Sequence, residues 1–170
     1  MNPALYFVLL FTLLTACNSD KKSRKEFKAI DFSYFDISPE VFSLRVTKQD
    51  SVFVKQYFSS DSKGQLKDSI IYLGLLKGNI KQQFDSLIIT IDFNKLDSVY
   101  ETGHIDGAEY RLYIESDTIT KRLYIHSMRP PKEVESLKDV FIKMKRGLSF
   151  VPIGITINFR VNPPEPPPLQ

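Results

Sequence analysis

Two stretches of helical period stand among runs of period two, and that switch restricts the chain to a fold in which helices pack on a sheet. Residues 41–47 put Phe42, Leu44 and Val46 on one face, the alternation of a half-buried strand. A turn near Gln49-Asp50 leads into 51–58, rich in Val, Phe and Tyr, so the pair predicts a β-hairpin. The polar stretch 59–65, with Gly64, reads as a loop. Residues 69–76 read as a third, more buried strand. The period then changes. Ile80, Phe84, Leu87, Ile88 and Ile91 form one stripe of an amphipathic helix, which Phe93 and Leu96 extend as it frays. Residues 97–107, with Gly103 and Gly107, read as a loop.

A second hairpin follows. Ala108, Tyr110, Leu112 and Ile114 alternate with charged or tyrosine positions, Ser116-Asp117-Thr118 supplies the turn, and 119–126 returns with Leu123 and Ile125 inward. Arg129-Pro130-Pro131 opens a second helix, since proline suits a first turn. Its buried stripe is Val134, Leu137, Val140, Phe141 and Met144. Glu133 and Glu135 at its start, and Lys143, Lys145 and Arg146 at its end, match the helix dipole. Gly147 is the expected C-cap. Ile153, Ile155, Ile157, Phe159 and Val161 alternate with polar residues or glycine, which predicts a last strand over 153–161. The expected fold class is α+β: a single antiparallel sheet of about five to six strands with two helices packed on one face.

The start of the chain carries a different signal. Residues 4–14 are apolar and uncharged, a length that suits a signal-peptide core of roughly 7–15 residues. They fall short of the ~20 needed to span a bilayer. The run ends at Leu14-Thr15-Ala16-Cys17, which resembles the lipobox of bacterial lipoproteins. That resemblance implies cleavage before Cys17, diacylation of its thiol (palmitate-type chains) and acylation of the new N-terminus. Several acyl chains make a stable anchor where one alone binds marginally. Cys17 is the single cysteine, so residues 17–170 have no disulfide and must bury a sufficient core unaided. The expected organisation is a signal peptide over 1–16, a basic tether over 17–28, one domain over 29–161 and a proline-rich tail over 162–170. The tail reads as an extended terminus.

Abundant Lys, Ile, Phe, Ser and Asp make the composition similar to that of Bacteroidota lipoproteins. In enteric lipoproteins an Asp after the lipidated cysteine favours the inner membrane. Asn18 stands there here, which points to the outer membrane, facing the periplasm. The order and spacing from Val41 to Lys145 resemble a domain of unknown function found in small Bacteroidota lipoproteins. The matching features are Gln83-Phe84-Asp85-Ser86-Leu87, then Tyr100 and Asp106, a hairpin and a proline-led helix. No activity comes with that resemblance.

Lys21, Lys22, Arg24, Lys25 and Lys28, against Asp20 and Glu26, account for the whole net charge of +3. This excess adjoins the expected anchor and has no aromatic stacking platform, so it argues against nucleic-acid binding and for a tether near anionic headgroups. The chemistry-bearing residues form no catalytic constellation. The two histidines, His104 and His126, lack metal-ligand spacing, where a catalytic zinc needs three protein ligands. The seven glycines form no phosphate loop and no serine elbow. No catalytic residue, metal or cofactor is therefore assigned.

The candidate binding residues are Tyr113, Tyr124, Arg111, Arg122 and His126, outward on the second hairpin. Tyr and Arg are enriched at interfaces, although such residues also pair across any solvated sheet. The leading expectation is a non-enzymatic, lipid-anchored module that binds an envelope protein or another envelope component. The alternatives are a small hydrolase or metal-dependent enzyme using His104, Asp106 and His126, and a carrier of an apolar ligand between sheet and helices.

Overall fold

The computed structural model describes residues 27–36, 40–58, 69–102 and 108–163. They form strands β1 (Phe27–Phe35), β2 (Val41–Thr47), β3 (Ser51–Tyr57), β4 (Ser69–Leu75), β5 (Val99–Glu101), β6 (Glu109–Ser116), β7 (Thr120–His126) and β8 (Phe150–Ile153). Helix α1 spans Gly78–Thr90, a 3-10 turn spans Phe93–Lys95, and helix α2 spans Lys132–Gly147. The strands make one sheet in the order β5-β7-β6-β1-β2-β3-β4-β8. Every neighbouring pair is antiparallel except β5 and β7, which run parallel. The α+β class holds, while the expected sheet of five to six antiparallel strands is corrected to eight strands of mixed direction.

Most of the enlargement comes from three short or disguised strands. β1 starts at Phe27, inside the segment read as tether, and occupies the middle of the sheet between β6 and β2. Its sequence alternates Ile30, Phe32 and Tyr34 with Asp31 and Ser33, and all five are buried. No element was expected between the tether and Val41, so this strand was missed. β5 takes three residues from the stretch read as a loop; the rest of that loop, 103–107, lies outside the described residues. β8 ends where the expected last strand was to begin. Residues 154–161 belong to no strand, because their backbone bonds to side chains on the sheet face instead of to a neighbouring strand. β4 is also less buried than expected, with Ile70 and Leu75 exposed, since only the four-residue β8 separates it from the sheet edge.

Both helices cover one face, as the two apolar stripes require. Phe32 of β1 stacks on Phe141 of α2, with ring centroids 4.8 Å apart and planes at 11°. Phe84 of α1 meets Phe141 edge-on at 6.0 Å and Phe27 at 5.7 Å. Around them Leu44, Val46, Val52, Leu112, Leu123, Ile125, Val134 and Val140 are all buried. The expected stripe of α2 is buried in full. Gly147 is the last helical residue, and the cap is Leu148, whose N–H reaches the Met144 carbonyl at 3.2 Å. Glycine suits position 147 for another reason: a Cβ there would come within 3.0 Å of Ile80 Cδ1, so its absence lets the end of α2 close onto α1. No helix among the described residues is long and apolar enough to cross a membrane.

Candidate binding face

The side of the sheet away from the helices carries polar residues at the centre and a strap across them. On β1 and β2, Asp31, Ser33 and Ser43 point away from the helices and are completely buried. What buries them is the segment after β8. Ser33 Oγ donates to the Val161 carbonyl at 2.8 Å and lies 2.8 Å from Ser43 Oγ. The backbone N–H of Arg160 donates to Asp31 Oδ2. Arg45 donates from Nε and Nη2 to the two Asp31 oxygens at 2.6 and 2.5 Å, and from Nη2 to the Asn158 carbonyl at 2.8 Å. Its guanidinium also sits 5.4 Å from the centre of the Phe159 ring. The hydrogen bond to Asp31 raises the Arg45 pKa, against the opposing effect of burial, and the charge of Asp31 adds to it. A carboxylate accepting three N–H bonds is a fully satisfied buried acid, so this node fixes the strap on the sheet.

The strap is what turns a flat hairpin face into a groove. On β6 and β7, Arg111 pairs in register with Tyr124, and Tyr113 with Arg122. Each guanidinium rests on the opposing ring: Arg111 at 5.7 Å from the Tyr124 centroid, Arg122 at 5.4 Å from that of Tyr113. Beside them the strap brings Arg160, Val161 and Asn162. Together with Ser98 and 120–124 these residues line a groove of about 580 Å³. Three guanidinium residues, Arg111, Arg122 and Arg160, line it, and no carboxylate does. Lys121 lies at its edge but pairs with the buried Ile114, on the helix side of the strand. The nearest acids, Glu109 and Glu115, share this face of β6 with Arg111 and Tyr113 and flank the groove. Glu109 holds Arg111 Nη2 at 3.3 Å, and Glu115 accepts from the Tyr113 hydroxyl at 3.1 Å. Arg111 Nε is buried with no hydrogen-bond partner among the described residues. Arg122 and Arg160 form no ion pair with a described carboxylate.

No protein-family model and no curated protein matches the chain. The site must therefore be read from its own chemistry.

Both tyrosine hydroxyls here are held protonated. Burial raises the Tyr113 pKa and the bond to Glu115 adds to it, with Arg160 and Arg122 opposing. Burial also raises Tyr124, followed by the charges of Glu109 and Glu101, with Arg111 opposing. The groove thus offers guanidinium donors and neutral aromatic faces, a set that suits anions.

The structure brings Arg111, Arg122, Tyr113 and Tyr124 together. It leaves His126 apart, half-buried at the far end of β7, beside Glu101 of β5. His104, Asp106 and Cys17 lie outside the described residues. Among the described residues no three His, Cys, Asp or Glu side chains gather as a metal site would need. Sequence reasoning missed Arg160, assigned to a strand, and the Asp31–Arg45 pair. The short-range signal for the pair was an Asp and an Arg at buried-strand positions among apolar neighbours, where an ionised residue needs a partner.

Proposed function

We propose that the chain is a cell-envelope lipoprotein, anchored through lipid on Cys17 in the outer membrane and facing the periplasm. In this reading its folded domain is a non-enzymatic binding module. The observation that carries the binding role is the groove in which the strap sets Arg160 beside Arg111 and Arg122, with no carboxylate in its lining. Arg122 and Arg160 pair with no described carboxylate, and guanidinium groups held on a fixed support recognise carboxylate or phosphate bidentately with little reorganisation. The Leu14-Thr15-Ala16-Cys17 lipobox supports the anchor.

The test is in-cell crosslinking of the full lipoprotein from a photoreactive residue at Thr120, in the groove, or at Asp139, on exposed α2. A groove product lost on Arg122→Glu with Arg160→Glu, and absent from position 139, is the expected result. Turnover of an envelope substrate by the purified protein, abolished by one side-chain change, would overturn the reading.

A second reading, an apolar-ligand carrier, is favoured by one observation. A recess of about 350 Å³ opens on the helix side, lined by Val54, Gln56, Phe58, Tyr72, Lys145 and Phe150. Co-purification of an amphiphile that is displaced by Tyr72→Arg would support it; clean protein with no bound lipid would contradict it.

A further inference from the structure

The groove and the point where the chain enters the fold share one end of the sheet. Phe27, the first residue of β1, pairs with Ser116 at the end of β6, and β7 begins at Thr120 just beyond the Ser116–Ile119 turn. Lys28 ties this corner to the turn through Asp117 at 3.1 Å. Along β1 the groove lies at the level of Asp31, which pairs with Tyr113 and accepts from the Arg160 N–H. Four residues of strand separate that level from Phe27, about 14 Å at the usual rise. The ten residues from Cys17 to Phe27 reach at most ~36 Å even when fully extended. An anchor on Cys17 would therefore keep the groove within reach of the bilayer surface.

We infer that the groove lined by Arg111, Arg122 and Arg160 is a membrane-docking site for the phosphate groups of anionic lipids. This rests on the anchored-module reading above. The chemistry matches: guanidinium forks fit phosphate oxygens, and cations near an anionic leaflet are attracted at short range. Arg111 lines the groove beside Arg122 and Arg160, with its Nη2 held by Glu109. The Arg160 backbone is fixed by Asp31, so its side chain is presented from a rigid support. Glu109 and Glu115 are the facing acids, and each is already engaged, by Arg111 and by Tyr113. Docking turns a loosely tethered domain into one lying with its outer sheet face toward the headgroups. The helices then face away from the membrane.

The test uses the full lipoprotein reconstituted in phosphatidylcholine vesicles, with or without phosphatidylglycerol, and followed by flotation and amide exchange. The expected result is flotation with both vesicles, and exchange at 120–124 and 159–162 slowed at least roughly tenfold by the anionic lipid. That slowing disappears in Arg122→Gln with Arg160→Gln, a pair of exposed, charge-neutralising changes that leave the Arg160 backbone bond in place. Flotation without any phosphatidylglycerol effect overturns the docking site and leaves the anchor standing. Failure to float with either vesicle overturns the anchor and the docking together. Equal slowing on neutral vesicles with millimolar glycerol phosphate would show a site for soluble phosphate compounds and overturn the membrane assignment.

Discussion

Asp31 and Arg45 face each other across β1 and β2 as a two-point pair, at 2.6 and 2.5 Å, with the Asp31 side chain fully buried and that of Arg45 17% exposed. The pair lies under the strap, and the same carboxylate accepts the Arg160 N–H. One ionic contact therefore joins the central strands to the wall of the groove.

Asp31→Asn sets an amide against three N–H donors and leaves a guanidinium mostly buried without its counter-charge. Breaking such a pair costs about 3–5 kcal/mol, so a chemical denaturation midpoint should fall accordingly. Amide exchange at 158–161 should accelerate even where the rest of the sheet stays protected. Joint replacement of Asp31 and Arg45 by Leu and Met should cost much less. Equal stability of Asp31→Asn and the parent would contradict the account of the strap.

Tyr110 is buried against the helices, and its hydroxyl finds no hydrogen-bond partner among the described residues. Removing an unsatisfied buried hydroxyl relieves a desolvation penalty of ~1–3 kcal/mol. Tyr110→Phe should therefore be neutral or stabilising in thermal unfolding. A clear loss of stability would reveal a partner for that oxygen.

Alkali should unfold the domain through its tyrosines. Burial, with the charge and hydrogen bond of Asp36, pushes the Tyr34 pKa up to about 12, and burial raises Tyr110 further. A folded pKa above the unfolded one means that the folded state keeps its proton longer. The resulting stability is complete below pH ~10 and is lost as pH rises through the folded value. Tyr34→Phe should flatten the fall of stability between pH 10 and 12, measured by denaturant titration at each pH.

Phe141 fastens α2 to the sheet through its stack on Phe32 and its edge contact with Phe84. Phe141→Ala should cost about 3–5 kcal/mol. Phe141→Leu should recover most of that loss, since volume rather than ring electronics fills the site. If Phe141→Ala costs less than the exposed Val99→Ala, the core assignment is wrong.

The helices and hairpins were legible because each buries one face and shows its period plainly. Val134, Leu137, Val140, Phe141 and Met144 announced α2, and Leu112 with Leu123 announced the second hairpin. β1 carries the same period of two, Ile30, Phe32 and Tyr34 against Asp31 and Ser33, and was overlooked beside the basic segment. What the sequence does not show is that its polar face is also buried. Asp31 and Ser33 look like solvent-facing residues until the strap covers them. The strap misled in the opposite direction. Phe159 and Val161 do alternate with exposed neighbours and are buried, but they are pressed onto the sheet rather than hydrogen-bonded into it, and a period of two records only the alternation. The arginine–tyrosine face could be read from register on one hairpin. Arg160 could not, because its approach depends on a contact with Asp31 spanning 129 residues of chain.

The envelope location, the groove's orientation toward a membrane and the proposed docking all depend on the anchor, so the decisive measurement is the mass of the chain extracted from cell membranes. The account predicts a protein that begins at Cys17, lacks residues 1–16, and carries acyl chains on that cysteine. A membrane-extracted chain that keeps residues 1–16, or begins at Cys17 with an unmodified thiol, would contradict it.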